Sequence, residues 1–201
     1  LDLFRFGQGV PVFTSGTANR YNKVRHYKGW VFVAIRAIAE KIAQLRPVVG
    51  IKRKITGKSK WLTKAIRERL KSTTIVAEHE DIEPADEGHP LALLLDDPNE
   101  PETSADLWYR TLLFWELTGI AYWWMPRNNA GMPAEIWVLP SHWVTPIGGA
   151  DRLISSYRIT PYEGSYNTVD IDADDIIAIK HPSPVSLVDG YASLDGGSAW
   201  V

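Results

Sequence analysis

The chain has 201 residues, of which 45% are hydrophobic and 23% charged, with a formal net charge of −2 and no cysteine. That size and balance suit one or two globular units and exclude a wholly disordered or fibrous chain. The absence of cysteine removes disulfide frameworks, thiolate metal sites and cysteine nucleophiles together.

Residues 1–22, rich in Gly, Thr, Ser and Asn and without a sustained period, read as a flexible arm ahead of one α+β domain over 23–201. Tyr27 to Leu45 carries Trp30, Ala34, Ile35, Ile38, Ile42 and Leu45 at three- and four-residue steps, which predicts an amphipathic helix closed by Pro47. Its longest apolar run, Trp30 to Ile35, falls far short of the roughly 20 residues a membrane span needs, so no membrane partner is expected. Val48 to Ile55 predicts a strand that turns at Gly57, and Ser59 to Leu70 a basic helix with Trp61, Leu62, Ile66 and Leu70 on one face.

Charge is unevenly placed along this part of the chain. From Arg20 to Lys71 there are 16 Lys and Arg against two acids, and from Ser72 onward five against 21. Such a split fits a polyanion at one end, pairing of opposite faces between neighbouring copies, or a plain solvated face. Lys52, Arg53, Lys54, Lys58 and Lys60 cluster around the Gly57 turn, and the acid-rich Ala77 to Gly88 reads as an exposed loop.

His89 to Leu95 predicts a short helix stopped by Asp96, Asp97 and Pro98. Thr103 or Ser104 caps the next helix, which runs to Thr118 with Asp106 in its first turn and Gly119 as its left-handed end. Leu107, Leu112, Trp115 and Leu117 make it apolar over most of its girth, so it is expected to be central, with Trp115 buried.

Beyond Gly119 the period changes to two. Ile120 to Met125, Glu135 to Leu139, Trp143 to Ile147, Leu153 to Thr160, Tyr166 to Ile171 and Ile176 to His181 read as strands separated by turn residues such as Asn128-Asn129-Ala130-Gly131 and Gly148-Gly149. Connections this short suit antiparallel pairing, and helices followed by strands predict an α+β fold. Trp123, Trp124, Trp137 and Trp143 fall close together here. Trp123 and Trp124 are adjacent on one strand, so their side chains leave opposite faces, and the outward one is expected to be covered by a neighbouring domain or subunit.

Three chemical motifs fail on inspection. Gly57-Lys58-Ser59 resembles the end of a phosphate loop, but Lys52 stands where its first glycine belongs. Asp170, Asp172 and Asp174 begin like a calcium loop, yet Asp175 replaces the glycine and His181 the closing acid. His79 and His89 lack a partner at helical spacing, so no metal site, cofactor site or catalytic residue is expected.

One ordered string of features goes further. His89-Pro90-Leu91, Leu94-Leu95, Asp96-Asp97-Pro98-Asn99, the helix ending Leu117-Thr118-Gly119-Ile120-Ala121-Tyr122, then Glu135-Ile136-Trp137-Val138-Leu139-Pro140, Tyr157 on a strand, and Asp174-Asp175-Ile176-Ile177-Ala178-Ile179-Lys180-His181 resemble the portal proteins of tailed double-stranded DNA bacteriophages. The likeness is to the large portal family of lambdoid-type capsids, whose leading helix Tyr27 to Leu45 also resembles. That family follows the last strand with a Gly-x-Ser-Pro-Leu turn into a long helix, whereas Gly190-Tyr191-Ala192-Ser193-Leu194 lacks the proline. The chain begins at Leu1 and ends at Val201, before any stem, clip or crown, so it is expected to be the wing part of a longer subunit.

The resemblance implies a structural subunit and not an enzyme. It would belong to a dodecameric ring at one capsid vertex of the virion, assembled in the host cytoplasm, and serve as a conduit for DNA packaging and ejection. Its partners would be capsid protein, terminase, tail adaptor proteins and double-stranded DNA held without sequence preference. Lys52, Arg53, Lys54, Lys58 and Lys60 are the candidates for contact with the DNA backbone or a neighbouring subunit, and Trp123, Trp124, Trp137 and Trp143 the candidate interface aromatics. The rival readings are a carbohydrate- or nucleotide-binding module using exposed tryptophans and, behind it, a nucleotide hydrolase.

Overall fold

A computed structural model describes residues 14–45, 47–52, 82–86, 88–161, 167–193 and 195. Two units are distinguished, residues 46–93 and residues 1–45 with 94–201, where the sequence suggested one domain over 23–201. The predicted basic helix Ser59 to Leu70 lies outside the described residues.

In the smaller unit, β1 (Gly50–Lys52) pairs antiparallel with β2 (Ile82–Pro84), placing Ile51 opposite Glu83 and Lys52 opposite Ile82. The acid-rich stretch read as a loop therefore contains a strand. Its charges hid the β signal, and backbone pairing supplies the register that its side chains do not.

The larger unit begins with α1 (Thr14–Arg25) and α2 (Trp30–Ala43), joined through Gly29 at φ 60, a backbone state that suits glycine. Helix α1 corrects the expected arm: from Thr14 the chain is helical, and residues 1–13 lie outside the described set. Its polar composition gives no apolar face for periodicity to find, and among its described side chains the buried one is Arg20.

Next in the chain come α3 (Pro90–Asp96), which spans the boundary between Leu93 and Leu94, and α4 (Ser104–Thr118). Proline at the first position of α3 needs no amide donor, and the Leu91 amide donates to His89 Nδ1 at 3.2 Å. Helix α4 begins in a capping box. The Asp106 amide donates to Thr103 Oγ1, while Asp106 accepts from the Thr103 amide at 3.0 Å and hydroxyl at 2.6 Å. It ends at Gly119 with φ 80, whose amide donates to the Trp115 carbonyl. Leu107, Leu112, Phe114 and Leu117 are buried, but Trp115 is only half-buried and lies flat on the His181 ring with centroids 3.8 Å apart. Its position on the flank of α4, under the chain leaving the sheet, corrects the expectation that it is core.

The strands are β3 (Ile120–Trp124), β4 (Trp137–Leu139), β5 (Val144–Ile147), β6 (Ser156–Ile159), β7 (Val169–Asp172) and β8 (Ile176–Lys180). They form two antiparallel sheets, ordered β4-β3-β8 and β5-β6-β7, so the fold is α+β as the sequence predicted. Asn128 Oδ1 accepts from the amides of Ala130 and Met132 and Gly131 adopts φ 75, closing the β3–β4 hairpin at the predicted turn. One face of β3 presents Ile120 and Tyr122 to Val144, Tyr157 and Ile159 of the second sheet; the other carries Trp123 against α4. Helix α4, with α2 packed on it, thus covers one face of the first sheet and the second sheet covers the other.

The capping box gives a first prediction. Thr103→Ala should cost about 0.5–2 kcal/mol near neutral pH, the usual loss of an N-cap. The Thr103 hydroxyl and then its amide hold the Asp106 carboxyl below its ordinary pKa. A depressed carboxyl stabilises the fold above its unfolded-state value and loses that contribution as pH falls through the folded-state value. Denaturation midpoints of Thr103→Ala should therefore show a shallower decline on the acid side. A variant with unchanged midpoints across that range would show that the cap carries none of this.

Candidate functional site

The four tryptophans proposed as interface aromatics sit on or beside β3 and β4. Trp123 is only 8% exposed; its indole N–H donates to Thr111 Oγ1 at 2.7 Å, and its ring meets Trp108 edge-on at 5.4 Å. Thr111 passes the bond on to the Leu107 carbonyl, so the indole nitrogen is satisfied inside the chain. Trp124 stands opposite Trp137 in the β3–β4 register and, like Trp143 in the turn before β5, packs half-buried against the core between the sheets. Trp137 is also half-buried and donates to Glu135 Oε2 at 2.7 Å. The aromatic surface is thus largely used within the chain, because β3 is covered on both faces.

A buried charge joins α1 to this core. Arg20 is 3% exposed and donates to the Tyr122 hydroxyl at 2.9 Å, to the Val144 carbonyl at 2.7 Å and to Asp189 at 3.3 Å. Burial raises the Tyr122 phenol above its ordinary pKa although the neighbouring guanidinium opposes the rise. Burial, and then the Arg20 charge, lowers His142, which Tyr21 of α1 meets with ring centroids 5.8 Å apart. Periodicity did not find Arg20; only the steps from Ala18 to Tyr21 and Val24 hint at a helix there.

The segment after β8 is bound to both α1 and α4. Lys23 pairs with Asp195 at 2.7 Å, and the Ser193 hydroxyl donates to Glu116 at 2.5 Å. Gly190 crosses the end of α4 so closely that a Cβ there would lie 1.8 Å from the Gly119 carbonyl oxygen. This is the glycine of the turn whose missing proline was noted above.

Other motif residues also prove architectural. Asn99 donates to the Ile136 carbonyl at 2.7 Å while the Pro98 carbonyl accepts from the Ile136 amide at 2.8 Å, tying the Asp-Pro-Asn turn to the chain entering β4. Glu102 returns to Asn99 and pairs with Arg110. Of the aspartates that began like a calcium loop, Asp170 is engaged by Arg158 and Asp174 by Arg152, while Asp172 accepts from the Asp174 amide; the neighbouring Asp175 pairs with Arg127. Among the described residues no group of three or more possible metal ligands occurs. Nor is any described helix long and apolar enough to cross a membrane.

Of the basic candidates, Lys52 ends β1, and Arg53, Lys54, Lys58 and Lys60 lie outside the described residues. The backbone pairing of β1 with β2 brings the start of the basic segment beside the acid-rich stretch of the same chain.

A family model described as "Phage portal protein" matches residues 63–198. The fold is similar to a chain from the neck of an empty gene transfer agent (GTA) particle computed with C6 symmetry, with a TM-score of 0.66 and 20% identity over 97% of this chain and 46% of that one. It is also similar to a chain in the virion of a native GTA particle, with a TM-score of 0.64 and 19% identity over 96% of this chain and 42% of that one. A third similar chain, from the neck of a native GTA particle computed with C12 symmetry, gives a TM-score of 0.63 and 18% identity, covering 97% and 43% respectively. The chain therefore spans less than half the length of these solved chains. No curated protein matches it.

Proposed function

The chain belongs to the phage portal protein family, and from that premise we propose that it is the wing part of a portal subunit, one copy in a ring at a single capsid vertex of the virion. The ring is a conduit for DNA, with terminase, capsid and tail adaptor proteins docking on it. What carries the reading is one coincidence. The family match over residues 63–198 includes α4 and both three-stranded sheets, and nearly the whole chain follows the fold of chains taken from particle necks. A twelve-fold ring is the form we propose for the full-length protein. Electron microscopy of that protein should show rings with a central channel; a monodisperse monomer under assembly conditions would refute the reading.

Within the ring, the basic cluster acts through charge. Lys52, Arg53, Lys54, Lys58 and Lys60 have few neighbours in sequence suited to reading base edges, so contact with DNA is to phosphates and indifferent to sequence. Replacing all five by glutamine in the full-length protein should leave ring assembly intact, weaken DNA affinity and reduce its salt slope. Loss of rings with folded monomers would assign the charges to the subunit interface, and no change in either property would leave them a solvated face.

A further inference from the structure

Helix α2 is apolar over more of its surface than the chain covers. Ile35 and Ala39 are buried and Val31 and Ala43 half-buried on its inner side, while Trp30 is 88% exposed, Ile38 43% and Leu45 58%. Trp30, Ala34, Ile38 and Ile42 recur at four-residue steps with Leu45 beside them, so they line one stripe along the helix. Arg36 and Glu40, paired at 2.6 Å, lie about half a turn round the helix from that stripe. Lys41 borders the stripe and is the one charged residue on that side. Solvent therefore meets an apolar row on one flank of α2, while the flank carrying the ion pair also exposes Phe32 and Val33.

The size of the patch narrows its purpose. A buried tryptophan alone covers about 150–250 Å², so the stripe reaches the roughly 300–600 Å² of the largest patches on typical monomers, which mark interaction sites. It falls short of the roughly 800 Å² per partner that a stable interface buries, so it is one part of a larger contact. A contact repeated between copies of a subunit longer than this chain has that character. The fold recurs over 97% of the chain in particle necks computed with C6 and C12 symmetry, and cyclic symmetry repeats one contact between successive copies.

We propose that the Trp30–Ala34–Ile38–Ile42–Leu45 stripe of α2 packs against a second copy of this chain and forms part of the lateral contact of the ring. A ring contact joins two different surfaces, so the stripe meets some other face of its neighbour and not its own image. The inference rests on the ring reading above.

The test uses the full-length protein carrying Trp30→Glu and Ile38→Glu, with ring population read by native mass spectrometry and folding by thermal denaturation. Both side chains face solvent, so the melting temperature of the subunit should hold while the ring population falls at least tenfold. In parallel, Trp30→Cys, read at its own peptide by mass spectrometry, should react readily with a maleimide in monomers and be protected in rings. If the unaltered protein forms no rings, the ring reading itself has failed. If it forms rings and the double variant forms them equally well, or the thiol stays reactive in them, the stripe is not at the subunit contact. Rings that assemble normally but fail to enter capsids would place it against the shell, which also overturns the second-copy assignment.

Discussion

Arg20→Met should lower the stability of the larger unit by about 2–4 kcal/mol, in the range seen when one partner of a buried polar network is removed. The guanidinium satisfies the Tyr122 hydroxyl and the Val144 carbonyl deep between the sheets and neutralises Asp189 at the edge. Methionine fills much of the same volume but donates nothing, so both buried oxygens lose a donor. Asp189 keeps partial access to water, which places the cost below that of a fully buried, abandoned charge. Arg20→Lys retains the charge without the planar fork and should fall between the two, since one ammonium cannot reach three acceptors in the same geometry. NMR supplies an independent reading: with the guanidinium gone, the His142 pKa should rise towards its ordinary value, because the Arg20 charge is one of two causes holding it down. Unfolding of Arg20→Met at the parent midpoint would show that α1 docks without this anchor.

The second large effect is steric. Gly190→Ala would set a methyl 1.8 Å from the Gly119 oxygen and 2.4 Å from its carbonyl carbon, and neither backbone atom rotates aside as a side chain would. Gly119 is fixed by its left-handed cap and by accepting from the His181 amide at 2.9 Å, so the segment at Gly190 has to move instead. Lifting it strips cover from Val188 and Ala192, both buried, and separates Lys23 from Asp195 and Glu116 from Ser193. The cost should reach the upper end of the roughly 1–3 kcal/mol of overpacking substitutions, or exceed it. Hydrogen exchange should report it locally, with protection lost through residues 186–195 and in α1 while β3 and α4 keep theirs. Parent-like protection in that segment would mean that the crossing is looser than 1.8 Å implies.

These two sites account for the glycine at position 190 and for the docking of α1 on the final segment. Arg20 and Lys23 of α1 hold Asp189 and Asp195 of the final segment, so N-terminal helix and C-terminal turn are docked by the same side chains.

Much of the architecture was legible in the residues alone, for a physical reason particular to each element. Helix α4 was bounded at both ends because Thr103 with Asp106 and Gly119 satisfy terminal backbone groups through local chemistry. The six later strands were legible because alternation and turn residues such as Asn128 and Gly131 act over a few positions. The features that marked a portal resemblance were legible as an ordered string, though not as parts of a mechanism. Asn99 and Gly190 turned out to serve packing between distant segments.

Tertiary structure decided what depends on which surfaces meet. Adjacent Trp123 and Trp124 had to leave opposite faces of β3, but only the packing of α4 on one face and the second sheet on the other covers both. Nothing local selects β8 as the second neighbour of β3, since short connections favour hairpins and this pairing closes over the whole second sheet. Helix α1 stayed hidden because its buried residue is charged, and a charge becomes a core residue only where a hydroxyl, a carbonyl and a carboxylate from far along the chain converge on it. Local propensities and spacing are properties of neighbours in sequence, whereas burial and the satisfaction of buried polar groups are properties of neighbours in space.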